Sequence, residues 1–275
     1  MHSSRFFLFC SAPVGIGLSY LIYDRLSIIR HAQCFETATA KHIKSRTVAL
    51  INPFGQCSSQ DSYSIRIPVH KLRPGITNEE ILARFTYGCF AGWIFTPERL
   101  LLRVFKPQIT NVSRTINEAS GEKDSDNYSA LNDDGARPHS PTIWSLSALN
   151  RTILPQLGVR LFGLFQLFDR SAASPQEREQ MHYFPAPAHK ADYAFAEFVA
   201  GSDQSVFAVS QRFDVVRQSD GANDETESVI ITASHLVCNP LTGKNIFPAP
   251  LKLFHGIYAR LLFADGIREV MGGKS

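Results

Sequence analysis

The stretch from Asp192 to Cys238 constrains the fold more than any other part of the chain. Three segments, "DYAFAEFVA" (192–200), "VFAVSQRFDVVRQ" (206–218) and "SVIITASHLVC" (228–238), are rich in aromatic and β-branched residues and are separated only by "GSDQS" and "DGANDETE". Such runs bounded by turn-forming residues predict strands, and connections this short join antiparallel neighbours. A long apolar segment follows, from about Ala249 to Met271, with Pro250 in a first turn where its missing N–H is tolerated. Leu251, Phe254, Ile257, Tyr258, Leu261 and Leu262 share one helical face, with Lys252, His255 and Arg260 away from its centre. Beyond Phe263 the pattern changes. Asp265, Arg268 and Glu269 continue that face while Ile267, Val270 and Met271 turn from it, which predicts a kink near Gly266. The expected architecture is α+β: an antiparallel sheet covered by a long C-terminal helix.

Upstream, "NPFGQCSSQDS" (52–62) reads as a polar linker and "YSIRIPV" (63–69) as a strand before the Pro74-Gly75 turn. Thr77 and Glu80 form a capping box that starts a helix at Asn78, and Ile81, Phe85, Cys89 and Trp93 give it one buried face. Pro97 breaks that helix, and "ERLLLRVF" resumes it. Gly88 and Gly92 are spaced for close approach of a second helix, either within the domain or from a partner chain. "VRLFGLFQLF" (159–168) is ambiguous between helix and strand; as a strand it is apolar on both faces and must be covered on both. Residues 117–142 are polar and nearly free of core residues, the pattern of a disordered insertion.

Residues 6–23, "FFLFCSAPVGIGLSYLIY", carry no charge and are near the minimum length for a spanning helix. Pro13, Gly15 and Gly17 suit a membrane helix better than a buried soluble one. The competing readings are a cleaved signal or transit peptide, disfavoured by the lack of an A-x-A site, and a core element. Arg5 precedes the run, whereas Arg25, Arg30, Lys41, Lys44 and Arg46 follow it, so the positive-inside rule places the C-terminal bulk in the cytosol. An endomembrane is favoured over a mitochondrial location, and the basic flank is suited to anionic headgroups. The implied organisation is an anchor over 1–24, a basic juxtamembrane segment and linker over 25–62, and a single domain over 63–271.

Twenty phenylalanines in 275 residues argue for a thick core or an apolar pocket. The net charge of +3 without a basic–aromatic stripe argues against nucleic acid. Cys10, Cys34, Cys57, Cys89 and Cys238 are odd in number and widely spaced, which indicates neither a disulfide framework nor a zinc site. The sequons at Asn111, Asn127 and Asn150 matter only in a lumenal setting. No H-E-x-x-H, G-x-S-x-G, G-x-G-x-x-G or Walker A sequence occurs, and no cofactor is expected.

Two titratable residues on the strands stand out. Glu197 lies among Tyr193, Phe195 and Val199, where burial would raise its pKa and fit it for proton transfer, but a solvated edge position is the favoured reading. His235 shares parity with Val229, Ile231 and Val237 and so points inward, as a packed core histidine or as a ligand-contacting one. Arg212 shares a face with Ser210 and Asp214, opposite Val209 and Phe213, and is expected in solvent.

The order of three strands and a helix over residues 192–271 resembles helix-grip domains, the START and Bet v 1-like group. In that group sheet and helix enclose an apolar cavity for lipids, polyketides or other hydrophobic molecules. "LGVRLFGLFQLFD", "DYAFAEFVAGSD" and "FAVSQRFDV" are also similar to uncharacterised proteins of filamentous fungi, some near secondary-metabolite clusters, which implies no established reaction. The uncharged N-terminal run, the Phe-rich sheet and the covering helix together point to a membrane-anchored binder of a hydrophobic molecule, lipid or polyketide-like, with a cavity of several hundred Å³ as is usual for such sites, and with Tyr193, Phe195, Phe254, Tyr258 and Leu261 as candidate contacts. One alternative is a tailoring enzyme of cyclase or isomerase type, in which Glu197 and His235 converge on one pocket. The other is a non-catalytic assembly protein that uses Gly88 and Gly92 against a partner helix.

Overall fold

The computed structural model of the protein describes residues 23–106, 141–174, 176–177, 192–202, 205–219 and 227–272. The expected anchor, apart from Tyr23 and Asp24, and nearly all of the expected insertion lie outside them. No helix of the described residues is long and apolar enough to cross a membrane.

One sheet organises the chain. Its strands are β1 (Gln33–Phe35), β2 (Ser59–Pro68), β3 (Thr142–Ile143), β4 (Arg160–Leu161), β5 (Phe165–Arg170), β6 (Tyr193–Gly201), β7 (Ala208–Gln218) and β8 (Ser228–Cys238). They lie in the order β1-β2-β8-β7-β6-β5-β4-β3, antiparallel throughout except for the parallel β3–β4 pair, so the sheet is mixed. The three strands read from residues 192–238 are thus present as an antiparallel meander. "VRLFGLFQLF" resolves into a hairpin, with Leu161 opposite Phe165 and the turn at Phe162 and Gly163 at positive φ. The long strand β2 returns beside β8, with Tyr63 opposite Ala233.

Each face of the sheet is covered. On one lie α3 (Asn78–Ala91), α4 (Thr96–Phe105) and α5 (Ala249–Val270). Here α3 rests on β6 and β7 and packs along α5, which reaches β2. The main core, with Phe85, Phe90, Phe198, Phe213 and Phe263, fills this side. On the other face α1 (Ala40–Ile43) and α2 (Arg46–Ile51) form a second core, where Val48, Leu50 and Ile51 meet Phe168, Val199, Leu236 and Cys238. The segment read as linker is therefore part of the domain. Its alternation extends back to Ser59, and the stretch before it supplies the cover that the sheet's second face requires.

Thr77 caps α3 as expected, its side chain accepting from the Glu80 N–H, while the Glu80 carboxylate pairs with Arg73 and Arg84. The helix ends at Gly92 rather than at Pro97, which sits in the first turn of α4. Trp93 falls in the break and is 69% exposed.

Gly88 explains why α3 and α5 lie so close. A Cβ there would stand 2.5 Å from the Asp265 carbonyl oxygen and 2.7 Å from Gly266 Cα, both backbone atoms. Conversely, a Cβ at Gly266 would meet the Phe85 ring at 2.6 Å. The helix that Gly88 and Gly92 accommodate is α5 of the same chain, so this surface is not open to a partner.

Nor does α5 break near Gly266; it is continuous from Ala249 to Val270. The polar stripe that seemed to demand a kink is met where it lies. Asp265, 4% exposed, pairs with the buried Arg25 and accepts from the Ile94 N–H at 3.0 Å, while Arg268 pairs with Asp24 and Glu269 with Arg151. Arg25 is consequently not available to lipid headgroups. The apolar first half of α5 is the exposed part: Leu251, Leu253, Phe254 and Ile257 are 43–69% exposed.

Replacing Gly88 with Ala is expected to destabilise the protein by about 1–3 kcal/mol, because backbone on α5 must move. Gly256 of the same helix has nothing within 4 Å of an added Cβ, so Gly256→Ala should stabilise by roughly 0.5–1 kcal/mol through helix propensity. Urea denaturation of both variants checks the pair, and a neutral Gly88→Ala contradicts the close approach.

Candidate functional site

Between the sheet and its three-helix cover lies a cavity of about 220 Å³. Its floor is the sheet face carrying Ala200, Val209, Gln211, Phe213, Ala233 and His235, and its walls come from Phe85 and Phe90 of α3 and from Phe165. The roof is α5, which contributes His255, Tyr258, Ala259 and Leu262 at helical i, i+3, i+4 and i+7 spacing. Small side chains at positions 200, 233 and 259 leave the space. The Gly88–Gly266 contact holds the C-terminal half of α5, and the Tyr63 hydroxyl, donating to the Gly256 carbonyl at 3.0 Å, ties its N-terminal half to β2.

The lining is apolar except at two poles. At one, Asp61 of β2 lies opposite His235 of β8 and bridges two imidazoles: His235 Nδ1 is 2.9 Å from Oδ1, and His255 Nε2 is 3.4 Å from Oδ2. Burial alone would raise the Asp61 carboxyl, but the two histidines beside it outweigh that and hold the group well below the usual carboxylate range. At the other pole the Tyr258 hydroxyl donates to Glu98 Oε2 at 2.6 Å. Burial raises both of these groups, the glutamate against the opposing effect of the tyrosine's hydrogen bond.

Glu197 is on the opposite face of the sheet. It is fully buried beneath α1 and α2, where Ser45 and Ser210 donate to Oε1 at 2.6 and 3.1 Å and Arg212 Nη1 to Oε2 at 2.8 Å. Arg212 is buried here too, bonded to Asp214 and Tyr193 and stacked 4.1 Å over the Phe195 ring, because the face it was expected to expose is covered. His42, 0% exposed, links the network across the sheet: Nδ1 meets Ser234 Oγ at 2.9 Å and Nε2 meets Ser210 Oγ at 2.8 Å. The donors are ordered. Ser210 gives its proton to Glu197, so His42 must donate through Nε2, and Nδ1 accepts from Ser234, whose oxygen takes the Thr39 N–H. The centre of this network, Glu197, His42, Ser210 and Ser234, is 0% exposed and fastens α1 and α2 to the sheet.

The sheet therefore separates Glu197 from His235, and the two cannot act on one substrate. Tyr193 and Phe195 share the Glu197 face and do not line the cavity. Tyr258 does line it. Phe254 is 64% exposed and stacks on Tyr258 with centroids 6.0 Å apart, while Leu261 is buried outside the lining. Asp61, Glu98, Gln211 and His255 escaped the sequence reading. The parity of Asp61 with Tyr63, Ile65 and Ile67 was the available signal for the first of them. Among the described residues no group of three or more His, Cys, Asp or Glu is placed to hold a metal. Searches found no matching protein family, no matching curated protein and no matching solved structure.

The sealed network gives stability a distinctive pH dependence. Burial, with Arg212 nearby, lowers His42 from 6.5 to about 3, so its contribution is full above pH 6.5 and is lost as pH falls toward 3. Burial raises Glu197 from 4.5 to about 7 against Arg212 and the serine donors, so its contribution is full below pH 4.5 and is lost as pH rises toward 7. The two oppose each other between pH 4.5 and 6.5; below 4.5 the loss from His42 continues, joined by that from Glu177 and, below 3.8, by that from Asp61. Urea midpoints of the wild type should change little from pH 6.5 to 4.5 and then fall. In Glu197→Gln the fall should begin near pH 6.5, and identical profiles for the two proteins contradict the assignment.

Proposed function

We propose that this chain is a membrane-associated protein whose α+β domain encloses a hydrophobic small molecule, a lipid or a polyketide-like compound. The observation that carries the reading is the cavity: apolar walls with a few convergent polar groups are the usual character of a ligand site. At about 220 Å³ it is smaller than the several hundred Å³ expected and lies below the roughly 300–1,000 Å³ of sites for drug-sized molecules. The ligand, or the part of it held inside, is compact. The strand order, with the first long strand beside the last and a long closing helix over the same face, supports the helix-grip likeness.

Two features support the membrane part. The uncharged run 6–23 precedes the domain in sequence. The helices that wall the cavity also expose apolar residues outward: Leu100, Leu101, Val104 and Phe105 of α4 are 55–76% exposed, as are Leu253 and Phe254 of α5 at 69% and 64%. An amphipathic helix lying in a lipid interface has this character, and Arg103, Lys106 and Lys252 stand on the same helices or at their ends to meet anionic headgroups. In this arrangement a hydrophobic ligand reaches the cavity from the bilayer.

Titration with a fluorescent fatty-acid analogue tests the cavity. The wild type should bind it at micromolar concentration or tighter, and Leu262→Trp, which fills the space, should weaken binding at least about tenfold, or roughly 1.4 kcal/mol. Equal binding by both proteins, or none by the wild type, rejects the site. Flotation with anionic vesicles tests the surface. The full chain should float, and a Leu253→Asp/Phe254→Asp variant of a chain lacking residues 1–22 should float less than that shortened chain alone. No difference removes the α5 face from membrane contact.

A further inference from the structure

We infer that the cavity is also a proton-transfer site, in which His235, oriented by Asp61, removes a proton from carbon next to the carbonyl of a bound apolar ketone. This rests on the binding reading above and adds a reaction to it.

Asp61 sets the tautomer of His235. An ionised carboxylate accepts hydrogen bonds and donates none, so the 2.9 Å contact from Asp61 Oδ1 to His235 Nδ1 requires the proton on Nδ1. In the neutral imidazole this leaves the lone pair on Nε2. That nitrogen has no hydrogen-bond partner among the described residues, and His235 lines the cavity. A carboxylate behind one nitrogen and an unengaged lone pair on the other is the arrangement of an oriented general base, and the same carboxylate steadies the imidazolium that forms. His255 on the roof stands beside the other oxygen of Asp61, its Nε2 3.4 Å from Oδ2 and without a hydrogen-bond partner among the described residues.

The second pole completes the site. His255 and Tyr258 are i, i+3 neighbours on α5, so the two poles meet the roof on one helical face, and His235 and Glu98 line the same cavity. Glu98, held by the Tyr258 hydroxyl, faces the same cavity. As the acid it donates to the carbonyl oxygen, and burial favours that form. Proton balance is closed. His235 Nε2 takes the proton, the C–H electron pair becomes the enol double bond, and the carbonyl oxygen takes the proton of Glu98. Reversal returns a proton to the same face of the same carbon, which is exchange, or to the γ-carbon of an unsaturated ketone, which is double-bond migration. No oxidant, metal or co-reactant is consumed.

The substrate class is thus an apolar ketone with an enolisable C–H. Asp61 is a positioning residue, and the groups facing His235 are Asp61 and Tyr63 from β2 and His255 from α5.

The test uses 1-tetralone, a compact apolar ketone with one enolisable methylene, and follows deuterium uptake in heavy water by NMR, with occupancy measured in parallel by saturation transfer. With the ketone bound, the wild type should exchange about a hundredfold faster than free imidazole at equal concentration, within the usual range for a positioned base. Uptake should stop at one deuterium per molecule, because the base approaches from one side. At matched occupancy His235→Gln should abolish the excess rate. Asp61→Asn should reduce the excess rate while leaving ketone occupancy unchanged, a loss of rate without a loss of binding. A bound ketone that exchanges no faster than in imidazole buffer, or takes up both deuteriums at equal rates, overturns the proposal and leaves the binding reading intact. Absence of any bound ketone at millimolar concentration overturns both.

Discussion

The close approach of α3 and α5 is the constraint on which the rest depends. Two helices with ordinary side chains at the crossing would stand apart, and α5 would have no fixed height above the sheet. Gly88 against Gly266 removes that spacing, and the Arg25–Asp265 pair, with the Ile94 N–H on the same carboxylate, pins the crossing from the side. A buried charge pair of this kind specifies position more than it stabilises, since desolvation offsets much of its attraction. What it specifies here is where the first half of α5 projects: over the sheet, with Ala259 and Leu262 facing Ala233 across a gap that neither side fills.

The two faces of the sheet solve opposite problems. Beneath α1 and α2, polar groups are numerous and every hydrogen-bonding direction of His42 is used, which makes that face rigid and chemically silent. Beneath α5, polar groups are few and incompletely engaged, with apolar rings around them. A histidine that keeps an unused nitrogen beside a cavity can take a proton from a bound molecule, whereas one with both nitrogens engaged cannot. By that measure His235 differs from His42, although both are buried on or against the same strands.

Much of the architecture was legible in the sequence. Alternation over residues 192–238 placed β6, β7 and β8 within two residues of their ends, and the Thr77–Glu80 spacing located the start of α3. Arg212, Glu197 and the polar end of α5 share a physical cause: each lies on a face covered by segments distant in sequence. Arg212 and Glu197 read as edge or exposed residues because nothing in β6 or β7 reveals that α1 and α2 lie above them. The polar end of α5 suggested a kink because its partners, Asp24, Arg25 and Arg151, are distant in sequence. The site was half legible. His235 and Tyr258 stood out by position, whereas Asp61 was hidden in a stretch whose Ser and Gln content resembles a linker, and its pairing with His235 is a property of the β2–β8 register alone.

The central claim is that the space under α5 is a ligand cavity walled by apolar groups rather than a packing gap that closes in solution. Xenon distinguishes these directly, since it enters apolar cavities and leaves polar, hydrated ones. Crystals pressurised with xenon should show a strong anomalous peak between Phe90, Ala233, Tyr258 and Leu262, with no movement of α5. A cavity without xenon, collapsed or filled by ordered water, would contradict the account.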